Sequence, residues 1–477
     1  MPLHDQYYES KEFKEILRKY EEAQKTGESI YLDPDELTDI AEYYHILGNI
    51  NHAINIIDEA INMFPGSVSI LAFRARIALL KENNPQKADE YAEMIEDKTD
   101  LEYFYVKAEI MLVENKKEDA DAYLAKQYQD MNDEDQADFV IDVATLFADY
   151  DIMDKAQKWL MLSDETDAPD YQELQGRIAL AKGNYEESER IFNTLIDQDP
   201  YSSPYWNHLA STQLMRNNIR DSIQSSEFSI AINPNDEEAI LNKANGLLSL
   251  GNYEEAYKYF KRYSELCPNE ENGQLFQGIA ALNLGQANKG IEHLKKAEKL
   301  MSPDSPSQYE IYQELAFSLS RKGNLEEALH YAKKLYDLVG DDEKKEVLVL
   351  RGHLFMENGK MKEAQDCFSK AINESNGAPR VFLRIAISTY DNGYYQSAYR
   401  MLKTLRRVTD ADYNEGYSYM ALCCQALGLH DEFVENVKKA CEVNPQEARV
   451  VLGELFPSEL EPQDYYQYLI SNDPPTK

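Results

Sequence analysis

A chain of 477 residues with 86 Asp and Glu against 49 Lys and Arg carries a net charge of −37, a field that repels nucleic acid and anionic membrane. Its 43% hydrophobic residues exclude a disordered polar tract, and no run approaches the roughly 18 apolar residues of a membrane-spanning helix. The five cysteines, Cys267, Cys367, Cys423, Cys424 and Cys441, form no Cys-x-x-Cys pair or Cys/His cluster with zinc spacing, so buried, reduced thiols in a cytoplasmic protein are expected.

The opening MPLHDQYYESKEF lacks the basic and apolar regions of a secretory signal. Within the segment 1–33, Glu9–Gln24 reads as a helical cap. From residue 34 the chain repeats itself. GNYEES at 183–188, GNYEEA at 251–256 and GNLEEA at 323–328 are near copies, and Pro200, Pro234 and Pro268 recur every 34 residues. In one unit, 237–268, Ile240, Leu241, Ala244, Leu247 and Leu248 follow helical spacing. Gly251 supplies a left-handed helix end. Asn252 and Glu255 form a capping arrangement. Tyr253, Ala256, Tyr257, Phe260 and Tyr263 share one side of a second helix, and Pro268 closes the unit.

The same frame fits twelve units. The middle of each first helix holds Ala or Gly: Ala41, Ala75, Ala108, Ala144, Gly176, Ala210, Ala244, Gly278, Ala316, Gly352, Ala386 and Ala421. The facing residue of the second helix, from Ala53 through Ala256 to Ala398, is small in every unit but the last, where Phe433 stands. Two facing small residues let paired helices approach closely. The turn residue, from Gly48 to Gly428, is always Gly, Asn or Asp.

This pattern resembles the tetratricopeptide repeat family, with consensus W-x2-L-G-x2-Y…A-x3-F…P. Trp206, Leu209, Ala210 and Pro234 match its opening and close, and Ala256, Phe260 and Pro268 its second half. The resemblance spans residues 34–445. It implies an all-α fold, an α-solenoid of about twelve helix–turn–helix repeats forming a right-handed superhelix. Residues 68–168 fit least, with irregular spacing, no terminal prolines and an extra residue near Asn83–Pro85. The linker MSPDSPSQ at 301–308 lengthens one connection, and Phe433 implies a widened last pair or a shifted frame. In 446–477, capping helices are expected within Pro445–Phe456 and Asp464–Ile470, then a disordered tail, SNDPPTK.

In the resembled family the first helices line a concave groove that binds peptides or partner domains. Its groove positions fall here on Arg177, Asn207, Ser211, Asn242 and Asn245, then on Gln313, Phe317, Arg321, His353, Arg380, Arg384 and Tyr390. Asparagine both donates to and accepts from a peptide backbone, and arginine grips carboxylates in two-pronged fashion. Most of the acidic excess lies in residues 1–202, whereas 203–413 are near balance, and 379–413 hold six Lys/Arg against three Asp. An acidic partner segment is therefore expected at the C-terminal groove and a basic one at the N-terminal half, with neither nucleic acid nor membrane. The family's Lys/Asn/Arg clamp for a terminal carboxylate is absent from any three consecutive units. The 34 tyrosines read mainly as inter-helix packing.

No HExxH helix, GxSxG elbow, phosphate loop or dinucleotide fingerprint occurs, and His45 and His52 lie on different helices. No enzyme, metal or cofactor is expected. The chain reads as a protein-interaction scaffold or adaptor. The alternative is a regulatory solenoid that senses a peptide or small molecule.

Overall fold

The computed structural model describes residues 7–8, 10–27, 30–303, 305–410, 412–457 and 460–472, without the side chains of 133–135 and 472. All regular structure among them is helical. The chain divides into two compact units, Met1–Leu250 and Gly251–Lys477, and each is an α-solenoid of helix hairpins.

In the first unit the hairpins are Pro34–Ile46 with Ile50–Met63, Val68–Leu80 with Pro85–Glu93, and Leu101–Val113 with Lys117–Asp130. They continue as Asp133–Asp149 with Met153–Leu160, Pro169–Ala181 with Tyr185–Gln198, and Ser203–Met215 with Ile219–Ile232, ending on Glu237–Ser249. The second unit begins with Tyr253–Leu266. It pairs Glu271–Asn283 with Ala287–Leu300, Gln308–Arg321 with Leu325–Leu338, and Lys344–Glu357 with Met361–Glu374. Pro379–Asp391 with Tyr395–Val408 and Tyr417–Ala426 with His430–Val443 complete it.

The twelve small first-helix residues are all buried, as the close-approach argument requires. Where the facing residue is serine, its hydroxyl donates across the gap: Ser188 to the Gly176 carbonyl at 3.0 Å and Ser222 to the Ala210 carbonyl at 2.8 Å. All twelve turn residues adopt left-handed φ, from +49° at Asn83 to +83° at Gly323. The next amide then bonds back five residues, as in Asn184 to Ala179 and Lys360 to Phe355, satisfying carbonyls the helix end leaves orphaned. Asn84 bonds six residues back, to Ala78, so the extra residue near Asn83–Pro85 is absorbed in the turn.

The irregular region owes its spacing to two truncated second helices and to one lengthened first helix, Asp133–Asp149, of 17 residues. Pro85–Glu93 and Met153–Leu160 have nine and eight residues, where Tyr185–Gln198 has fourteen. Around the second short helix, ionic contacts supplement packing. The buried Asp121 carboxylate accepts from Lys155 (2.8 Å), Lys158 (2.9 Å) and the Trp159 indole N–H (2.8 Å). Burial pushes this carboxyl up, but those three donors outweigh it and hold it below its ordinary value. Asp121→Ala leaves the buried indole without an acceptor and is expected to cost about 2 kcal/mol in urea denaturation at pH 7. A carboxyl depressed on folding stabilises above its unfolded value, near pH 3.9, and this stabilisation is lost as pH falls through the folded value. The deficit of the variant is therefore expected to shrink towards pH 3.

At the N-terminus, helix Lys11–Thr26 is capped by the Ser10 side chain. It buries Phe13 and Tyr20 with Leu37, Ile40 and Ile57. At the other end, Phe456 stacks on Tyr465 within the cluster that holds Val437 and Cys441. The last helix, Pro462–Asn472, runs past the expected Ile470. Ser471 and Asn472, the start of the tail expected to be disordered, belong to this helix, whereas Glu9, linker residue Asp304 and the rest of that tail, 473–477, lie outside the described residues. In the last pair Phe433 is buried, Gly428 has φ +71° and the Leu429 amide reaches Cys424, so the frame stays in register there. Cys423, Cys424 and Cys441 are buried, and burial pushes their thiols up to about 12, 11 and 11. No helix among the described residues is long and apolar enough to cross a membrane.

Candidate functional site

The twelve groove positions divide between the two units. In Met1–Leu250, Arg177 donates to Asp149 at 2.7 Å. Asn207 gives its amide N–H to both Asp236 oxygens at 3.0 Å, and Asn242 donates to Ser211 at 2.9 Å and to the Asn207 carbonyl at 3.4 Å. Asn207 and Asn242 are buried. Their side-chain donors thus form a ladder between successive first helices, while Asn245 stays partly exposed.

Carboxylates dominate the rest of this face. Burial pushes Asp142 up, Tyr105 donates to it at 2.7 Å and pulls it down, and Asp138, Glu102 and Asp170 push it up again. Glu173 lies 3.8 Å from His208. Glu238 is raised, first by burial.

In Gly251–Lys477 the remaining seven positions lie on first helices, but among the described residues only Phe317 with His353 and Arg380 with Arg384 share a contact or a common partner. The Phe317 and His353 rings meet edge to face at 5.2 Å. His353 also contacts Ser388 at 3.1 Å and Asn392 at 3.3 Å, and burial lowers its proton affinity. Arg380 and Arg384, 72% and 56% exposed, approach the same Glu346 carboxylate at 3.5 and 3.8 Å. Arg321, also largely exposed, lies 3.9 Å from Glu357. Tyr390 contacts Tyr395 at 5.2 Å and Tyr419 at 6.5 Å. Gln313 is partly exposed.

Residues beyond the expected set belong to this face. Exposed Glu310 and Asp391 and partly exposed Glu314 are all raised by desolvation, and Arg321 opposes the rise at Glu314 and Asp391. Tyr309 is 40% exposed, raised first by burial, and senses both Glu346 and Arg384. The signal for Glu310 and Glu314 was present in the sequence, because positions 310, 314, 317 and 321 share one helical face. Among the described residues no group of three or more His, Cys, Asp or Glu side chains is placed to hold a metal ion.

The sequence model of the tetratricopeptide repeat matches residues 237–270 and 345–376. No curated protein sequence matches the chain significantly. Among solved structures, a tetratricopeptide repeat protein from Parabacteroides merdae is 14% identical with a TM-score of 0.43, covering 55% of this chain and 98% of its own. PilF of Pseudomonas aeruginosa is 18% identical with a TM-score of 0.39, covering 47% and 98%. MamA from Desulfovibrio magneticus is 19% identical with a TM-score of 0.33, covering 36% and 94%. The chain thus carries tetratricopeptide repeats at 237–270 and 345–376, and buried small residues and left-handed turns recur in all twelve of its helix–turn–helix units.

Proposed function

We propose that this protein is a non-catalytic interaction scaffold whose C-terminal first-helix face receives a partner segment of mixed charge. The observation that carries the reading is the sharing of one carboxylate, Glu346, by two largely exposed guanidiniums, Arg380 and Arg384. Each guanidinium presents five donors in a planar fork, so a single distant carboxylate leaves most of them for a ligand. Aspartate or glutamate of the partner meets this end. Glu310 and Glu314, one to two turns from Phe317, present acceptors to a cationic or amide-rich part of the same segment. Tyr309, Tyr390 and Tyr419 supply rigid aromatic contact area.

In the N-terminal unit Asp138, Asp142 and Asp170, which pair with no cation among the described residues, favour a basic segment instead. The asparagine ladder there acts as inter-repeat structure, which moves the weight of the proposal to the arginine end. A panel of acidic, mixed-charge and lysine-rich peptides, titrated against the full chain by calorimetry, tests both faces. Arg380→Ala/Arg384→Ala is expected to weaken the acidic and mixed peptides about tenfold, two charge-assisted contacts being worth about 1.5 kcal/mol or more. Asp138→Asn/Asp142→Asn/Asp170→Asn is expected to weaken only the lysine-rich peptide. Affinities unchanged by the first variant defeat the C-terminal assignment, and affinities unchanged by the second defeat the N-terminal one.

A further inference from the structure

We propose that the solvent face of helix Tyr395–Val408 is a second docking surface, taking a short acidic segment of a partner protein independently of the first-helix face. Elsewhere several helix-surface lysines are neutralised on their own helix. Lys19 pairs with Glu15, Lys261 with Glu265, Lys296 with Glu292 and Lys370 with Glu374, each one turn apart. Helix Tyr395–Val408, YQSAYRMLKTLRRV, contains no Asp or Glu, in a protein of net charge −37.

Arg400, Lys403 and Arg407 are all exposed. Their spacing of three and four residues aligns them in one stripe about 10 Å long. Lys403 has Glu432 at 3.8 Å, and that carboxylate also takes the Tyr399 hydroxyl. Arg400 and Arg407 make no ion pair among the described residues. Lys403 and Arg407 are like charges one turn apart, an arrangement that is destabilising unless relieved.

Attraction to the carboxyl end of the helix accounts for cations in its last turn, and Arg406 has a further structural task. It stacks 4.0 Å over Tyr417 and 5.1 Å over Tyr413 and donates to the Tyr413 carbonyl at 2.7 Å. Neither reason reaches Arg400, in the first half of the helix. Beside Arg407, Val408 is 72% exposed and gives the stripe an apolar end.

Two guanidiniums and an ammonium in a row match carboxylates on an acidic helix or extended segment. The short stripe favours a peptide over a long polyanion. Duplex DNA or a charged bilayer extends past the stripe into the field of a strongly acidic protein.

The test uses the full chain carrying Arg380→Ala/Arg384→Ala, so that the first-helix face is weakened and the loss at the second face is read separately. The probe is a fluorescein-labelled peptide of eight glutamates, followed by anisotropy at low salt. Saturable binding is expected. Adding Arg400→Glu/Arg407→Glu is expected to weaken it at least tenfold, and Arg400→Ala/Arg407→Ala about threefold. Lys362→Glu/Lys370→Glu, a charge reversal on the preceding second helix, is expected to change it less than twofold, with thermal melts by circular dichroism confirming that all variants fold. Absence of binding, an equal loss in the Lys362/Lys370 variant, or tighter binding of a 20-base-pair duplex or phosphatidylserine vesicles at the same residues overturns the proposal.

Discussion

Replacing Arg76 with methionine is expected to destabilise the Met1–Leu250 unit by about 3–5 kcal/mol, the cost of stranding one charge of a buried pair. Arg76 reaches from helix Val68–Leu80 to helix Leu101–Val113. Its Nη1 lies 2.8 Å from Glu102, and its Nε donates to both oxygens of Glu109 at 3.0 and 3.1 Å. Glu109 is only 8% exposed. Burial pushes its carboxyl up, Arg76 alone pulls it down, and Glu102 and Asp149 push it up further. Methionine keeps much of the buried volume, so the loss isolates charge from packing.

The pH dependence follows from the same geometry. A carboxyl whose folded value lies above its unfolded value, near 4.3 for glutamate, binds its proton more tightly in the folded state, so stability falls as pH rises between the two. Removing Arg76 raises the folded value of Glu109 further. The gap between wild type and Arg76→Met is therefore expected to be small near pH 4 and to widen towards pH 7. Adding Glu109→Gln, which carries no charge to strand, is expected to recover at least half of the loss at neutral pH. Urea denaturation at pH 4, 5.5 and 7 measures all three. A gap that stays constant with pH rules out Glu109 as its source.

The repeat was legible in the sequence because its determinants are local and periodic. Ala or Gly at a fixed helix position and Gly, Asn or Asp at the turn each answer to a steric rule that needs no knowledge of distant partners. Even Phe433, which broke the small-residue pattern, left the turn at Gly428 readable. The polar contacts between repeats were not legible. Arg76 and Glu109 are 33 residues apart, Asp121 and Trp159 are 38, and Arg384 and Glu346 are 38. In an acidic chain each cation has several such candidates, and only the stacking of neighbouring hairpins selects one. The same limit shaped the candidate site. Asn207 and Asn242 have the right chemistry and position for holding a peptide, and only the structure shows their amides committed to Asp236, Ser211 and each other's helix. Arg380 and Arg384 remain largely exposed, with Glu346 shared between them.

Gly278→Val is expected to destabilise the Gly251–Lys477 unit by about 3 kcal/mol, at the upper end of overpacking costs. Helices Glu271–Asn283 and Ala287–Leu300 cross with glycine on both sides. A Cβ on Gly278 lies 2.9 Å from Leu294 Cγ, 3.0 Å from Leu294 Cδ2 and 3.1 Å from the Gly290 carbonyl oxygen. A Cβ on Gly290 lies 2.6 Å from Leu282 Cγ and 3.0 Å from the Gly278 carbonyl oxygen. A leucine tip can rotate aside, but a helix carbonyl cannot move without breaking the ladder that holds it. Valine adds two methyl groups at this point, so the pair must separate along its length and give up contacts on both flanks.

The turn glycine a few residues on supplies the contrast. Gly285 has φ +73° with nothing within 4 Å of an added Cβ, so Gly285→Ala meets only the left-handed backbone penalty of about 1 kcal/mol. If the facing small residues are what allow the hairpins to close, hydrogen exchange in Gly278→Val accelerates across both helices 271–300. In Gly285→Ala the acceleration is confined to the turn. Equal, local effects from the two substitutions would mean that the hairpins tolerate wider spacing, and that the small residue at this position is a preference of helix backbone rather than a requirement of packing.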